Sequence, residues 1–251
     1  MKKTIITLSF LGLLLHSFNL SAAAPVHLKD RQNILDVLKQ YSPDSFFIID
    51  TYDHAPRRYS FGNQTITIGE KTDFMIYIRG KDDYEVLENL DTAVHETNHG
   101  LNSLPYPFMN NVEPLWGEKY MAVYVGGDSV IIVPITQTFP SKKLAQIIPE
   151  RMRTFRFQPY IIPTDVESKT QGHGIYGLLD ELNSYYHGTK VVYDLYPFWK
   201  DVMKTSGTQW LDFFKNFEAA YFAYLEFKYF ILQYLIYARN REQAIFEKII
   251  D

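Results

Sequence analysis

The sequence predicts an α+β protein, with a small N-terminal mixed sheet and one long amphipathic helix, followed by a helix-rich C-terminal lobe. Three observations lead there. Short apolar runs at Phe46–Asp50, Thr65–Ile68 and Phe74–Arg79 are separated by turn residues, as strands of a small sheet would be. Val86, Leu87, Leu90, Ala93, Val94 and Leu101 recur at helical spacing across 82–102. From Ile175 onward the pattern is helical almost throughout, broken at Ser206-Gly207.

Taken in order, Asp30 to Tyr41 carries Ile34, Leu35, Val37 and Leu38 and reads as an amphipathic helix ended by Ser42-Pro43-Asp44. Phe46–Asp50 reads as a buried strand, 53–62 as a loop, and Thr65–Ile68 and Phe74–Arg79 as further strands. Asp82 or Asp83 is placed to cap the long helix, which Gly100 and Pro105 end. Tyr120–Val125 and Val130–Ile135 flank Gly126-Gly127-Asp128-Ser129, a hairpin signal and not a phosphate loop, since no helix follows. A short helix is expected at Ser141–Ile148 and an extended segment at Phe155–Ile162. A helix is expected over Ile175–Tyr186, stopped before Gly188, with helices over 191–204 and 209–250. One domain over 25–251 follows, with an upper lobe at about 25–102 and a lower helical lobe at about 140–251.

Composition narrows the function classes. The 251 residues include no cysteine, so disulfides, iron–sulfur clusters and thiolate-bound zinc are excluded. The chain is 46% hydrophobic and 22% charged, a globular composition. A formal charge of −4 gives no electrostatic reason to expect a nucleic acid partner. The 19 Tyr, 18 Phe and 3 Trp supply the packing that disulfides do not. Met1-Lys2-Lys3, a nearly uncharged Thr4–Leu20 and Ser21-Ala22-Ala23-Ala24 read as a signal peptide over 1–24. The mature chain is therefore expected to be secreted or periplasmic, without an integral membrane anchor after cleavage and without a lipid-bearing cysteine. Ala219–Ala238 approaches membrane-spanning length, but Glu226, Lys228 and Gln233 interrupt it, so it reads as a core helix. Arg57-Arg58 and the Arg151, Arg153, Arg156 group read as basic surface clusters; one of these could hold a substrate carboxylate.

The chemistry concentrates at His95-Glu96-Thr97-Asn98-His99, the pattern H-E-x-x-H. Residues four apart on a helix share a face, so both imidazoles can reach one tetrahedral zinc ion. Glu96 borders the same site and is placed to take a proton from the metal-activated water and pass it to a leaving amine. A hydrolytic zinc site needs a third protein ligand and an open position. The H-x-x-G-x-x-H continuation fails, because Asn102 and Pro105 stand where Gly and His would. With no thiolate available, the third ligand is a carboxylate or His on a later element. The segment 177–187, with Asp180, Glu181 and His187, is the leading candidate, and His173 lies just before it. Asp91, one turn before His95, is placed to accept a hydrogen bond from a ligand His.

With these motifs the chain resembles the gluzincins, the thermolysin-like zinc metallopeptidases. The resemblance rests on the H-E-x-x-H pattern and on Glu181-Leu182-Asn183-Ser184, which matches Glu-x-x-[Ala or Ser] on a second, antiparallel helix. It covers about Phe46 to His187. It implies a zincin-like fold, one zinc ion held by His95, His99 and Glu181, and Glu96 as general base. It also implies a Tyr or His stabilising the oxyanion, for which Tyr185, one turn beyond Glu181, is placed; His173, Tyr176, Tyr186 and His187 are the other candidates. The implied activity is hydrolysis of a peptide or protein substrate, laid along an edge strand such as Phe74–Arg79. Two departures stand out. Tyr185 occupies the place where the group often has an Asp that orients a ligand His, and the interval from His99 to Glu181 is long. The alternatives are a metallopeptidase-like binding protein of the cell envelope without turnover, or a zinc amidase acting on cell-wall cross-links.

Overall fold

A computed structural model describes residues 28–61, 64–104, 120–127, 129–165 and 168–251. The predicted signal peptide lies outside the described residues. The protein is α+β and mostly helical, and among the described residues two separate two-stranded antiparallel sheets stand in place of one mixed sheet.

Helix α1 (Arg31–Tyr41) starts at Asp30, whose carboxylate accepts from the Gln32 N–H at 2.7 Å. The chain turns at Ser42 and Pro43 opens α2 (Pro43–His54), a position where a missing N–H costs nothing. The predicted strand at Phe46–Asp50 is therefore helical. A short apolar run fits either period, and here Ser45, Ile48 and Ile49 form the buried face of α2. The predicted loop contains β1 (Arg58–Phe61), which pairs with β2 (Gln64–Thr67) from Arg58↔Thr67 to Phe61↔Gln64. Phe74–Arg79 is not a strand either. Asp73 caps a single 3₁₀ turn over Phe74–Ile76 by accepting from the Met75 N–H, and Phe74 plugs the core.

The long helix over 82–102 is two helices. Asp82 caps α3 (Asp83–Glu88), accepting from the Glu85 N–H at 3.0 Å. Asn89 breaks the run: its amide donates to Arg79 O and Glu85 O, and α4 (Leu90–Asn102) starts after it. The predicted hairpin is present as β3 (Tyr120–Gly126) and β4 (Ser129–Pro134), with a bulge between Tyr124 and Gly126. Ser141–Gln146 is 3₁₀, and the expected extended segment holds a short helix α5 (Phe157–Tyr160). A single turn, α6 (Lys169–Gly172), precedes α7 (Ile175–Asp194), which runs two turns past its predicted end. After a π turn at Phe198–Val202 come α8 (Thr208–Arg241) and α9 (Gln243–Ile250).

Two cores result. The first gathers α1 to α4 with Val191, Val192, Leu195, Phe198, Trp199 and Phe213. The second gathers Met121, Phe139, Leu144 and Phe157 with the first half of α7 and most of α8. Residues between 191 and 213, expected in the lower lobe, pack into the first core. Helix α7 belongs to both cores, and α4 packs along it.

Gly188 explains why α7 continues where the sequence suggested a stop. A Cβ there would lie 3.0 Å from the Asp91 carbonyl oxygen and 3.5 Å from His95 Cβ. The glycine lets two helix backbones meet beside His95. Gly188→Val must push α7 off α4, and we expect a loss of about 1–3 kcal/mol. Thermal unfolding would read this as a lowered Tm, at ~2–4 °C per kcal/mol for a chain of this size. An unchanged Tm would show that the seam yields freely.

Candidate metal centre

Helix α4 presents His95 and His99 one turn apart, and α7 presents Glu181 opposite them. The two Nε2 atoms are 3.1 Å apart. Glu181 Oε2 lies 3.7 Å from His95 Nε2 and 3.4 Å from His99 Nε2. Ligands at about 2.0–2.1 Å from a tetrahedral ion are ~3.3–3.4 Å apart, so the three donor atoms already have the spacing of one face of such a tetrahedron. Among the described residues they are the group of His and carboxylate side chains close enough to hold a metal ion. Glu181 Oε2 is buried without a hydrogen-bond partner, an arrangement that a cation between it and the imidazoles would resolve.

Asp180 occupies the adjoining position. Its Oδ2 accepts from His99 Nδ1 at 2.7 Å and from Lys169 Nζ at 2.8 Å, and its Oδ1 accepts from Asn102 Nδ2 at 3.0 Å. Neighbours on a helix point about 100° apart, so Glu181 and Asp180 cannot both face one ion. Glu181 takes the metal position, and Asp180 fixes the tautomer and tilt of His99. The carboxylate that orients His99 thus directly precedes Glu181, whereas the gluzincin pattern places such a group four residues after its Glu. The sequence showed two adjacent carboxylates on a buried helix but could not divide their roles.

The other predicted residues separate. Asp91 does not orient a ligand His: its carboxylate accepts from the N–H and hydroxyl of Thr92, and His95 Nδ1 is buried without a partner. His187 is buried against the hairpin, donating from Nε2 to Tyr124 O at 3.0 Å, and His173 is an exposed residue at the end of α6. The Tyr185 ring stands edge-on to His95 at 4.3 Å, and its hydroxyl is 3.0 Å from that of Tyr160. Tyr160 is the site residue that sequence reading missed, because its segment was expected to be extended; burial and the Glu181 carboxylate push its hydroxyl pKa up. Arg156, read as a surface residue, is buried, stacks on Tyr185 at 5.0 Å and pairs with Glu226 at 3.4 Å.

Glu96 stands between two cavities that meet at the centre. One, of about 480 Å³, is lined by Tyr52, Lys71, Tyr77, His99 and Lys169. The other, of about 250 Å³, is lined by Asp91, His95, Arg156, Tyr160 and Tyr185. Burial raises the Glu96 pKa and Glu181 adds to it, against the opposing pull of His99. The edge strand expected at Phe74–Arg79 is not formed, since Phe74–Ile76 is a 3₁₀ turn, and the two cavities are the openings beside Glu96 among the described residues.

No family model, no curated protein and no solved structure matches this chain.

In the metal-free chain, burial holds His95 down at about 3, helped by the His99 charge. Burial also opposes His99, but its hydrogen bond to Asp180 and the nearby Glu181 carboxylate outweigh it and hold His99 at about 9. A histidine raised in this way stabilises the metal-free fold fully below its unfolded pKa of about 6.5, and the contribution fades as pH rises through about 9. At pH 7–8 a metal ion must therefore displace the His99 Nε2 proton. Calorimetric titrations in buffers of differing ionisation enthalpy should show about one proton released per ion; no release would mean that His99 is not a ligand. Asp180→Asn should weaken metal affinity ~10–100-fold in the same titration.

Proposed function

We propose that the chain is an exported zinc-dependent peptidase of gluzincin type, with a zincin-like catalytic core. The observation that carries this reading is the convergence of His95 Nε2, His99 Nε2 and Glu181 Oε2 within 3.1–3.7 Å of one another. Two nitrogens and one carboxylate oxygen make the donor set of a hydrolytic zinc site, and a structural site would be closed by a fourth protein ligand. Zinc in this position supplies Lewis acidity, lowering the pKa of a water and polarising a carbonyl.

The remaining chemistry belongs to the protein. Glu96 lies in the cleft with a carboxyl whose pKa is raised by burial, suited to accept a proton from the attacking water and return it to the leaving amine. The Tyr185 and Tyr160 hydroxyls, paired at 3.0 Å beside His95, are placed to donate to the developing oxyanion. Asp180 and Lys169 hold His99, and Arg156 packs Tyr185 in place. Peptide binds across the two cavities on either side of Glu96. The leader-like segment over 1–24 supports export.

Glu96→Gln should keep the metal and lose hydrolysis of a peptide library by at least ~10²-fold. Glu181→Ala should lose the metal itself. A wild-type chain that cannot be loaded with zinc, or a Glu96→Gln chain as active as wild type, rejects this function.

A further inference from the structure

Helix α8 has two apolar faces, and the described residues cover one of them. Phe213, Ala220, Ala223, Phe227, Phe230, Tyr234 and Tyr237 are buried at alternating steps of three, four and seven, the seam that builds both cores. On the other side, Leu211, Phe214, Tyr221, Phe222, Leu225 and Leu232 are 46–59% exposed. The exposed stripe has its own heptad. Positions 211, 218, 225 and 232 form one row, and 214, 221, 228 and 235 form the second. Within it, Glu218 and Lys228 are the two charged positions, both exposed. Neither has an oppositely charged partner among the described residues; the Lys228 ammonium sits over the Tyr224 ring at 5.4 Å.

From this stripe we infer that the chain forms an antiparallel, two-fold symmetric dimer through α8. A two-fold axis passing the exposed face at the level of Ala223 sets Phe214 against Leu232 of the second copy and Tyr221 against Leu225, while Leu211 reaches the edge of the stripe at Leu235, which is half covered by its own core. That same register sets Glu218 against Lys228, twice by symmetry. One register therefore pairs the exposed positions 214, 221, 225 and 232 and both charges, as an isologous interface requires. A parallel pairing would set Glu218 against Glu218 and Lys228 against Lys228. The stripe from 211 to 235 is ~36 Å long at 1.5 Å per residue. At the roughly 150–250 Å² that a large apolar side chain can bury, its exposed side chains amount to roughly 600 Å² per copy, which reaches the size of a small stable interface. A second copy fits this face better than a lipid surface does, because the apolar row is interrupted by opposite charges in complementary positions, and no described helix is long and apolar enough to cross a membrane.

Sedimentation equilibrium on the purified chain tests this. Wild type is expected at twice the chain mass in the micromolar range. Glu218→Lys and Lys228→Glu should each weaken the dimer at least ~10-fold, since each sets two like-charged pairs face to face. The double swap should restore wild-type association, a rescue that loss of folding cannot mimic. Leu225→Asp should be a monomer with unchanged helical circular dichroism. A wild-type monomer at every concentration, a dimer indifferent to both single swaps, or a double swap without rescue overturns the proposal. So does a monomer that co-sediments with anionic phospholipid vesicles, which would assign the stripe to a membrane surface.

Discussion

The close approach of α4 and α7 is the constraint on which the rest depends. Gly188 removes the side chain that would hold them apart, and Ser184 is small enough to sit beneath Asn98 and His99. Between the helices runs a buried polar seam. Asn98 donates to Asn183 and Ser184, Asn102 donates to Asp180 and Asn183, and Asn183 donates to the Tyr124 carbonyl. Such a network tolerates little sliding, because each displaced group would lose a hydrogen bond in a medium that does not replace it. The seam therefore fixes the separation of the two helices, and with it the distance from Glu181 to the two imidazoles.

The surrounding structure anchors this seam at both ends. Tyr124 passes the connection onward, its hydroxyl donating to Asp44 on α2, while Asp44 also accepts from the Gly127 N–H. Lys190 on α7 lies 3.5 Å from Asp44 and bonds Asp194, which accepts from Ser42 between α1 and α2. The hairpin, the first two helices and α7 are thus tied to one another by groups that are each charged or hydrogen-bonded. The aromatic residues do the bulk of the burial on either side. The hairpin tips and short turns supply connections, and the centre itself is borne by two helices, the stiffest elements the chain has.

Much of the centre was legible from residue order. The four-residue repeat of His95 and His99 requires only a helix to bring both rings to one face, and the periodicity of Leu90, Ala93, Val94 and Leu101 announces that helix. Glu181 was suggested only through the gluzincin resemblance, by the match of Glu181-Leu182-Asn183-Ser184 to that group's pattern, and residue order alone left Asp180, His173 and His187 beside it. The N-terminal elements were less legible. Phe46–Asp50 and Phe74–Arg79 are short apolar runs, equally compatible with a strand, a helix or a plugged turn. Pro43 and the Asp73 cap decided them once neighbouring elements offered a surface to bury against. Gly188 was misjudged because a residue that ends helices in isolation can also serve a close contact between two of them.

The sequence by itself determined the α+β class, the pair of histidines on one helix face, the carboxylate beside them and the lack of any thiolate. These follow from residue types and local periodicity, which do not depend on what lies across the fold. Only the tertiary structure decided that Asp180 orients His99 while Glu181 faces the imidazoles, that Asp91 turns to Thr92, that Tyr160 meets Tyr185, and that α8 keeps one apolar face uncovered. The physical reason is the same in each case. Which of several chemically suitable groups is engaged depends on distance and burial between segments far apart in the chain, and no local pattern records that.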